Sequence, residues 1–326
     1  MIRHKLSIGS MELDGRIVLP PMATYKCDED GHVTDEVCNY YAARAANPHV
    51  ALIITEHSFF TLPGKARERQ MAVSDDACIP GLRKLTDAIH RSGAKAVSQL
   101  NHAGAAAMRS VTGTHAVAPS AVTLPVRPPL GDPEPPKALT KEEIAALVSA
   151  YAAAALRAKE AGYDGVEIHS AHAYLLNTFY SPLTNLRTDE YGGCLENRLR
   201  FHCEVVRAVR EAVGSAYPIL LRLGACDYAD GGNTPEDAAR AAAILEKAGV
   251  DVLDVSGGMC RYTREGREEP GYFRDAAEAI KKAVSVPVIL TGGVKTLSDA
   301  ETLLRDGVCD LVGVGRALLK DPNWEF

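Results

Sequence analysis

Two histidines three residues apart, His169 and His172, followed by Tyr174, are the part of this 326-residue chain best equipped for chemistry. Two imidazoles can hold one oxygen while a phenol, a weak acid, delivers a proton. As metal ligands the pair is weak, because no acidic or cysteine residue completes a set at ligand spacing. Gln99 offers both a donor and an acceptor, which suits the edge of a heterocycle or an ordinary core amide. Arg222 sits in an apolar run, where a charge is costly unless it is paired, with Glu167 for instance, or faces an electron-rich ring. Near the end of the chain, Gly292 and Gly293, and then Gly315 beside Arg316, would let backbone N–H groups approach a phosphate that the arginine neutralises. Taken singly, such glycines only make tight turns.

Positioning these residues takes short Val, Ile and Leu runs alternating with longer amphipathic stretches, the pattern of a parallel sheet. Eight runs are expected as strands: 16–19, 50–55, 94–100, 165–169, 218–223, 250–255, 287–291 and 311–314. Helices are expected over 35–46, 81–91, 141–161, 196–212, 235–248, 273–283 and 297–306. Thr140 with Glu143 forms a capping box, Pro235 follows Thr234 at a first helical position, and Gly162 and Gly249 follow helix ends. Eight β-then-α units predict an α/β fold, a closed (β/α)8 TIM barrel with a long excursion after strand three; a doubly wound sheet is the competitor. The excursion, 103–139, holds seven of the 18 prolines and no apolar period, and a second insertion covers 175–193. In a barrel both rise from the face where the strand ends converge, and there Glu56, His57, Gln99, His102, His169, His172, Arg222 and Arg316 make an unusually polar set.

Composition narrows the classes further. Hydrophobic residues at 46% and charged residues at 24% are those of a globular chain, and one domain over 1–326 is expected. The net charge of −6 without a basic block argues against nucleic acid. The longest apolar stretch, 144–156, is too short to span a bilayer, and the first fifteen residues lack a signal-peptide core. Eight scattered cysteines without a CxxC pair point to reduced thiols and a cytoplasmic protein.

Several motifs together resemble one family: Arg16-Ile-Val-Leu-Pro-Pro-Met22, Leu52-Ile-Ile-Thr-Glu56, Gln99-Leu-Asn-His-Ala-Gly104, Gly165-Val-Glu-Ile-His-Ser-Ala-His-Ala-Tyr-Leu175, Ser181-Pro182, Asn185-Leu-Arg-Thr-Asp-Glu-Tyr-Gly-Gly193, Glu196-Asn-Arg198, Gly292-Gly293 and Val314-Gly-Arg-Ala-Leu-Leu-Lys-Asp-Pro322. Across nearly its whole length the chain resembles the Old Yellow Enzyme group of FMN-dependent NAD(P)H:flavin oxidoreductases. The resemblance implies FMN across the barrel mouth, its phosphate at Gly292, Gly293, Gly315 and Arg316, and its ring at Pro21, Met22, Ala23 and Gln99 with Arg222 at the N1 and O2 edge. It also implies that His169 and His172 bind a substrate carbonyl, that Tyr174 protonates carbon, and that Tyr25 lines the substrate pocket. The expected reaction is ene-reduction with NADH or NADPH as electron donor, in a homo-oligomer. Amine oxidation or demethylation on the same barrel is the alternative, and a barrel keeping FMN as a structural ligand is a second. Ala23 stands where relatives often carry Cys or Thr, His57 where the residue is commonly small, and Ala105 where an Arg often follows. Relatives continue beyond the Asp321-Pro322 region with a terminal helix or, in a long subgroup, with an iron–sulfur segment and further domains.

Overall fold

Strands read as continuous apolar runs belong in a parallel sheet covered on both faces, and that is where the chain puts them. The computed structural model describes residues 1–325. Eight parallel strands close into a barrel: β1 (Ile17–Leu19), β2 (Val50–Phe59), β3 (Lys95–Asn101), β4 (Gly165–Ser170), β5 (Ile219–Cys226), β6 (Val252–Gly257), β7 (Val288–Thr291) and β8 (Leu311–Gly313), with β8 pairing β1. Every residue of β5 is buried. The doubly wound alternative is thereby excluded, since an open sheet leaves two edges and this one has none.

Alternate residues of each strand point to opposite faces, and the two sets form two cores. Val18, Leu52, Ile54, Val97, Leu220, Val252, Ile289 and Leu311 fill the barrel interior, joined by Ile8, Met11 and Leu13. These last three come from an antiparallel hairpin, Leu6–Ile8 with Met11–Leu13, that plugs the N-terminal end. The charges at its ends hid this hairpin from the apolar-run reading. Higher in the same inward rows stand Gln99, Glu167, Arg222 and Asp254, so the interior turns polar towards the C-terminal mouth. The opposite set, Val166, Ile168, Leu221, Leu223, Leu253 and Val255 among them, packs on the helix ring.

The ring follows the expected spans with one break. Helices run over Asp35–Ala45, Ile79–His90, Lys141–Glu160, Arg200–Val213, Pro235–Ala248, Arg274–Lys281 and Leu297–Arg305. The helix expected over 196–212 is interrupted at Leu199, with a separate turn at Leu195–Arg198. Arg198 explains the break: its buried guanidinium donates to the carbonyls of Tyr180 and Gly193 and to Asn233 Oδ1, ties that a continuous helix would turn elsewhere. The proline-rich excursion has little regular structure: a helical turn at Arg109–Thr112 and a two-residue pairing of Val117–Ala118 with Lys137–Ala138. Among the described residues no helix is long and apolar enough to cross a membrane.

Candidate active site

A cavity of about 410 Å³ opens at the C-terminal ends of the strands, within the range of small-molecule sites. It collects Pro21, Met22, Ala23 and Tyr25 after β1, His57 on β2, Gln99 on β3, His169, His172 and Tyr174 at β4, Arg222 on β5, and Gly292, Gly293, Gly315 and Arg316 after β7 and β8, whereas Glu56, His102 and Glu167 are buried outside its lining. Sequence reasoning did not single out Arg67, Arg261, Tyr262 and Tyr272, which also line it. They lie on loops with no spacing signal, and only their tertiary position brings them to the mouth.

The end of β4 is a tight ring cluster. His169 meets His172 at 5.1 Å between ring centres and 88°, and meets Tyr174 at 5.1 Å and 90°. The amide of Ala171 donates to His169 Nδ1 at 3.2 Å, so the proton of a neutral ring sits on Nε2. His172 Nε2 pairs with Ser256 Oγ at 2.7 Å. Burial, reinforced by neighbouring imidazoles and Arg222, drives both histidines well below their usual pKa, so both are neutral near pH 7. Burial raises the Tyr174 phenol, which therefore keeps its proton. His172 and Ala173 both adopt left-handed backbone, φ 62° and 64°, a conformation costing on the order of 1–3 kcal/mol for a residue with a side chain. Bonds from their amides to Gly257 O at 3.2 Å and Asn177 Oδ1 at 2.8 Å hold the turn.

Beneath the cavity the charges pair differently from the sequence-based alternative. Gln99 Nε2, not Arg222, bonds Glu167, at 2.7 Å. Arg222 Nε lies 3.2 Å from Asp254 Oδ2, the residue opposite it on β6, at ion-pair distance but out of hydrogen-bond alignment. Both carboxyls are raised by burial, and Asp254 adds to the effect on Glu167. Arg222 is 4% exposed and lines the cavity, so a buried guanidinium is directed at whatever occupies it.

The opposite end suits a phosphate. Amides of Gly293, Val294 and Gly315 donate to no protein group among the described residues, and the Arg316 side chain stands beside them without an ion pair. A Cβ on Gly315 would come only within 3.5 Å of Met22 Sδ and Pro20 Cγ, both cavity atoms, so it would fill ligand space rather than break the fold. Gly293 differs: its φ is +70° and a Cβ would come to 2.2 Å of Glu269 O. A long cavity with unpaired amides and an arginine at one end, and a buried guanidinium with an amide at the other, fits a phosphorylated heterocycle such as FMN. At Ala23 no hydroxyl faces that ring, and the next residue does not substitute: Thr24 gives its N–H and hydroxyl to Glu56 at 3.0 and 2.6 Å.

The chain matches the NADH:flavin oxidoreductase / NADH oxidase family over residues 4–326. It is 42% identical to an NADH oxidase of Thermoanaerobacter brockii over 323 residues, 97% of this chain and 49% of that one. It is 37% identical to an NADPH dehydrogenase of a Geobacillus strain over 327 residues, 100% of this chain and 93% of that one. The chain thus spans about half the length of the first relative and nearly all of the second. Among solved structures it resembles the Old Yellow Enzyme homologue of Zymomonas mobilis with a TM-score of 0.86 at 27% identity, over 99% of this chain and 90% of that one. With the barrel, the phosphate corner and the buried arginine already in place, these matches show that the chain belongs to the NADH:flavin oxidoreductase / NADH oxidase family, the Old Yellow Enzyme group of FMN-dependent NAD(P)H oxidoreductases.

Proposed function

We propose that the protein is an ene-reductase that uses NADH or NADPH to reduce the C=C bond of an alkene conjugated to a carbonyl. Pro21, Met22, Ala23, Gln99 and Arg222 would hold the FMN ring, and Gly292, Gly293, Gly315 and Arg316 its phosphate. When bound, FMN supplies a two-electron carrier that takes hydride from the nicotinamide and gives it to the β-carbon. His169 donates through Nε2–H to the carbonyl oxygen, with His172 beside it, and both stabilise the negative charge that develops there. One well-placed donor of this kind is worth roughly 2.7–4 kcal/mol in the transition state. Tyr174 gives the proton to the α-carbon, and Tyr25 lines the outer wall.

The observation that carries this reading is the edge-on contact of Tyr174 with His169 at 5.1 Å, which sets an uncharged acid beside uncharged donors on one cavity wall. The test separates the half-reactions. Reduction by NAD(P)H needs no proton donor, whereas alkene reduction does. Tyr174→Phe is expected to leave anaerobic reduction by NAD(P)H largely intact and to slow reoxidation by an enone by roughly 10²- to 10⁴-fold. Equal slowing of both steps would show that the phenol only shapes the pocket. Rapid oxidation of secondary or tertiary amines, with no alkene reduction, would replace the reading with the amine-oxidising alternative.

A further inference from the structure

We infer that His57 is a third substrate-facing donor, selecting alkenes that carry a second acceptor oxygen besides the one held by His169 and His172. The inference deepens the reductase reading and rests on it. Three observations carry it, and the first is a bulge. Along β2 and β3, Thr55 lies opposite Ser98 but Ser58 lies opposite Leu100, so β2 holds one extra residue at Glu56-His57. Such a bulge breaks the alternation of faces and re-aims a side chain, and His57 lines the cavity.

The second observation fixes where its proton sits. Gln70 Oε1 accepts the Ala66 N–H at 2.6 Å, which settles which end of the amide is oxygen, because a backbone N–H can only donate. Gln70 Nε2 then donates to His57 O at 3.0 Å and to His57 Nδ1 at 2.8 Å, and Asn101 Nδ2 approaches the same Nδ1 at 3.2 Å. A nitrogen met by donors must offer its lone pair, so the hydrogen is on Nε2. Burial, with Arg67 and Arg222 adding to it, holds the ring neutral by lowering its pKa to about 4. Nε2–H has no protein acceptor among the described residues.

The third is placement. The His57 ring lies 5.6 Å from Tyr174 at a 30° tilt, while Tyr174 meets His169 on its own edge contact. Tyr174 is the ring that both imidazoles touch. A substrate whose first carbonyl sits on the His169–His172 pair therefore meets His57 in the same cavity. An uncharged N–H there suits a second carbonyl, which gives alkenes flanked by two carbonyls: ene-diones, unsaturated imides and unsaturated diesters.

Binding of 4-oxoisophorone and isophorone, the same skeleton with and without the second carbonyl, tests this. Each is titrated against the oxidised, FMN-loaded enzyme and followed by the flavin absorbance, so no turnover is involved. The wild type is expected to favour the dione by about tenfold, the size of one net hydrogen bond. His57→Phe, which keeps a ring without the donor, should bring the ratio of the two constants to about one, and His57→Gln, which keeps an N–H at similar reach, should retain most of it. A wild-type ratio of one, a ratio unchanged in His57→Phe, or a His57→Gln enzyme that behaves like His57→Phe would each overturn the inference. Failure to reduce any enone with NAD(P)H would sink the reductase reading instead, and leaves the binding ratio readable.

Discussion

Arg222 shows how a single residue's partner changes what can be said of it. With Glu167 held by Gln99 and Asp254 only loosely opposed to the guanidinium, the arginine keeps charge to spare for the cavity. A cation there favours the more negative, reduced form of a bound flavin, by an attraction that strengthens as water is excluded. Arg222→Met is therefore expected to lower the flavin midpoint potential, measured by dye-coupled anaerobic titration. An unchanged potential in a variant that still binds FMN would leave Arg222 as the counter-ion of Asp254 and nothing more. The neutral state of His169, His172 and His57 follows from the same desolvation that raises the carboxyls, since burial disfavours charge of either sign.

At the scale of elements, the turns after β7 and β8 separate two uses of glycine. Gly293 is needed by the fold: it has a left-handed φ, and the carbonyl of Glu269 occupies the place of a Cβ. Gly315 has ordinary room, and only the cavity would be filled. Gly293→Ala should lose about 1–3 kcal/mol of stability together with FMN retention, read by urea unfolding of the apoprotein and by FMN release. Gly315→Ala should unfold close to the wild type while its FMN dissociation constant rises. If both variants lose stability alike, Gly315 serves the turn and the phosphate corner is defined by Gly293 and Arg316 alone. The bulge in β2 belongs to this scale too, because one extra residue decides whether His57 faces the helix ring or the cavity.

Over the whole molecule the net charge is −6, yet the mouth carries Arg67 and Arg261, neither in an ion pair among the described residues, beside the Arg316 given to the phosphate. A cationic mouth on an acidic protein focuses anions, and both NADH and NADPH are anions. The second-order constant for flavin reduction by NADPH should fall several-fold, ~3 to 10, between about 0.02 and 0.5 M salt as screening shortens the field's reach. Arg261→Gln should flatten that dependence. A rate indifferent to salt would show that these arginines do not steer the nicotinamide.

Much of this protein was legible in the residue order because the deciding forces are local or periodic. Unbroken apolar runs such as 50–54 state that both faces of a strand are buried, and Thr140 with Glu143 states where a helix begins, each through residues close in the chain. The cluster of His169, His172 and Tyr174 was readable for the same reason, since one strand end carries all three. Pairings between strands were not. That Arg222 opposes Asp254 rather than Glu167 depends on the ladder register of β5 with β6, fixed by the closing of the barrel and not by anything adjacent to either residue. The hairpin plug, the break at Leu199 around the buried Arg198 and the aim of His57 are likewise decided by tertiary partners, such as Asn233 for Arg198, or by a bulge no propensity announces. Periodicity specifies which elements form. Only barrel closure, which brings eight strand ends to one mouth and forces each buried charge to find the partner that register supplies, decides the chemistry they share.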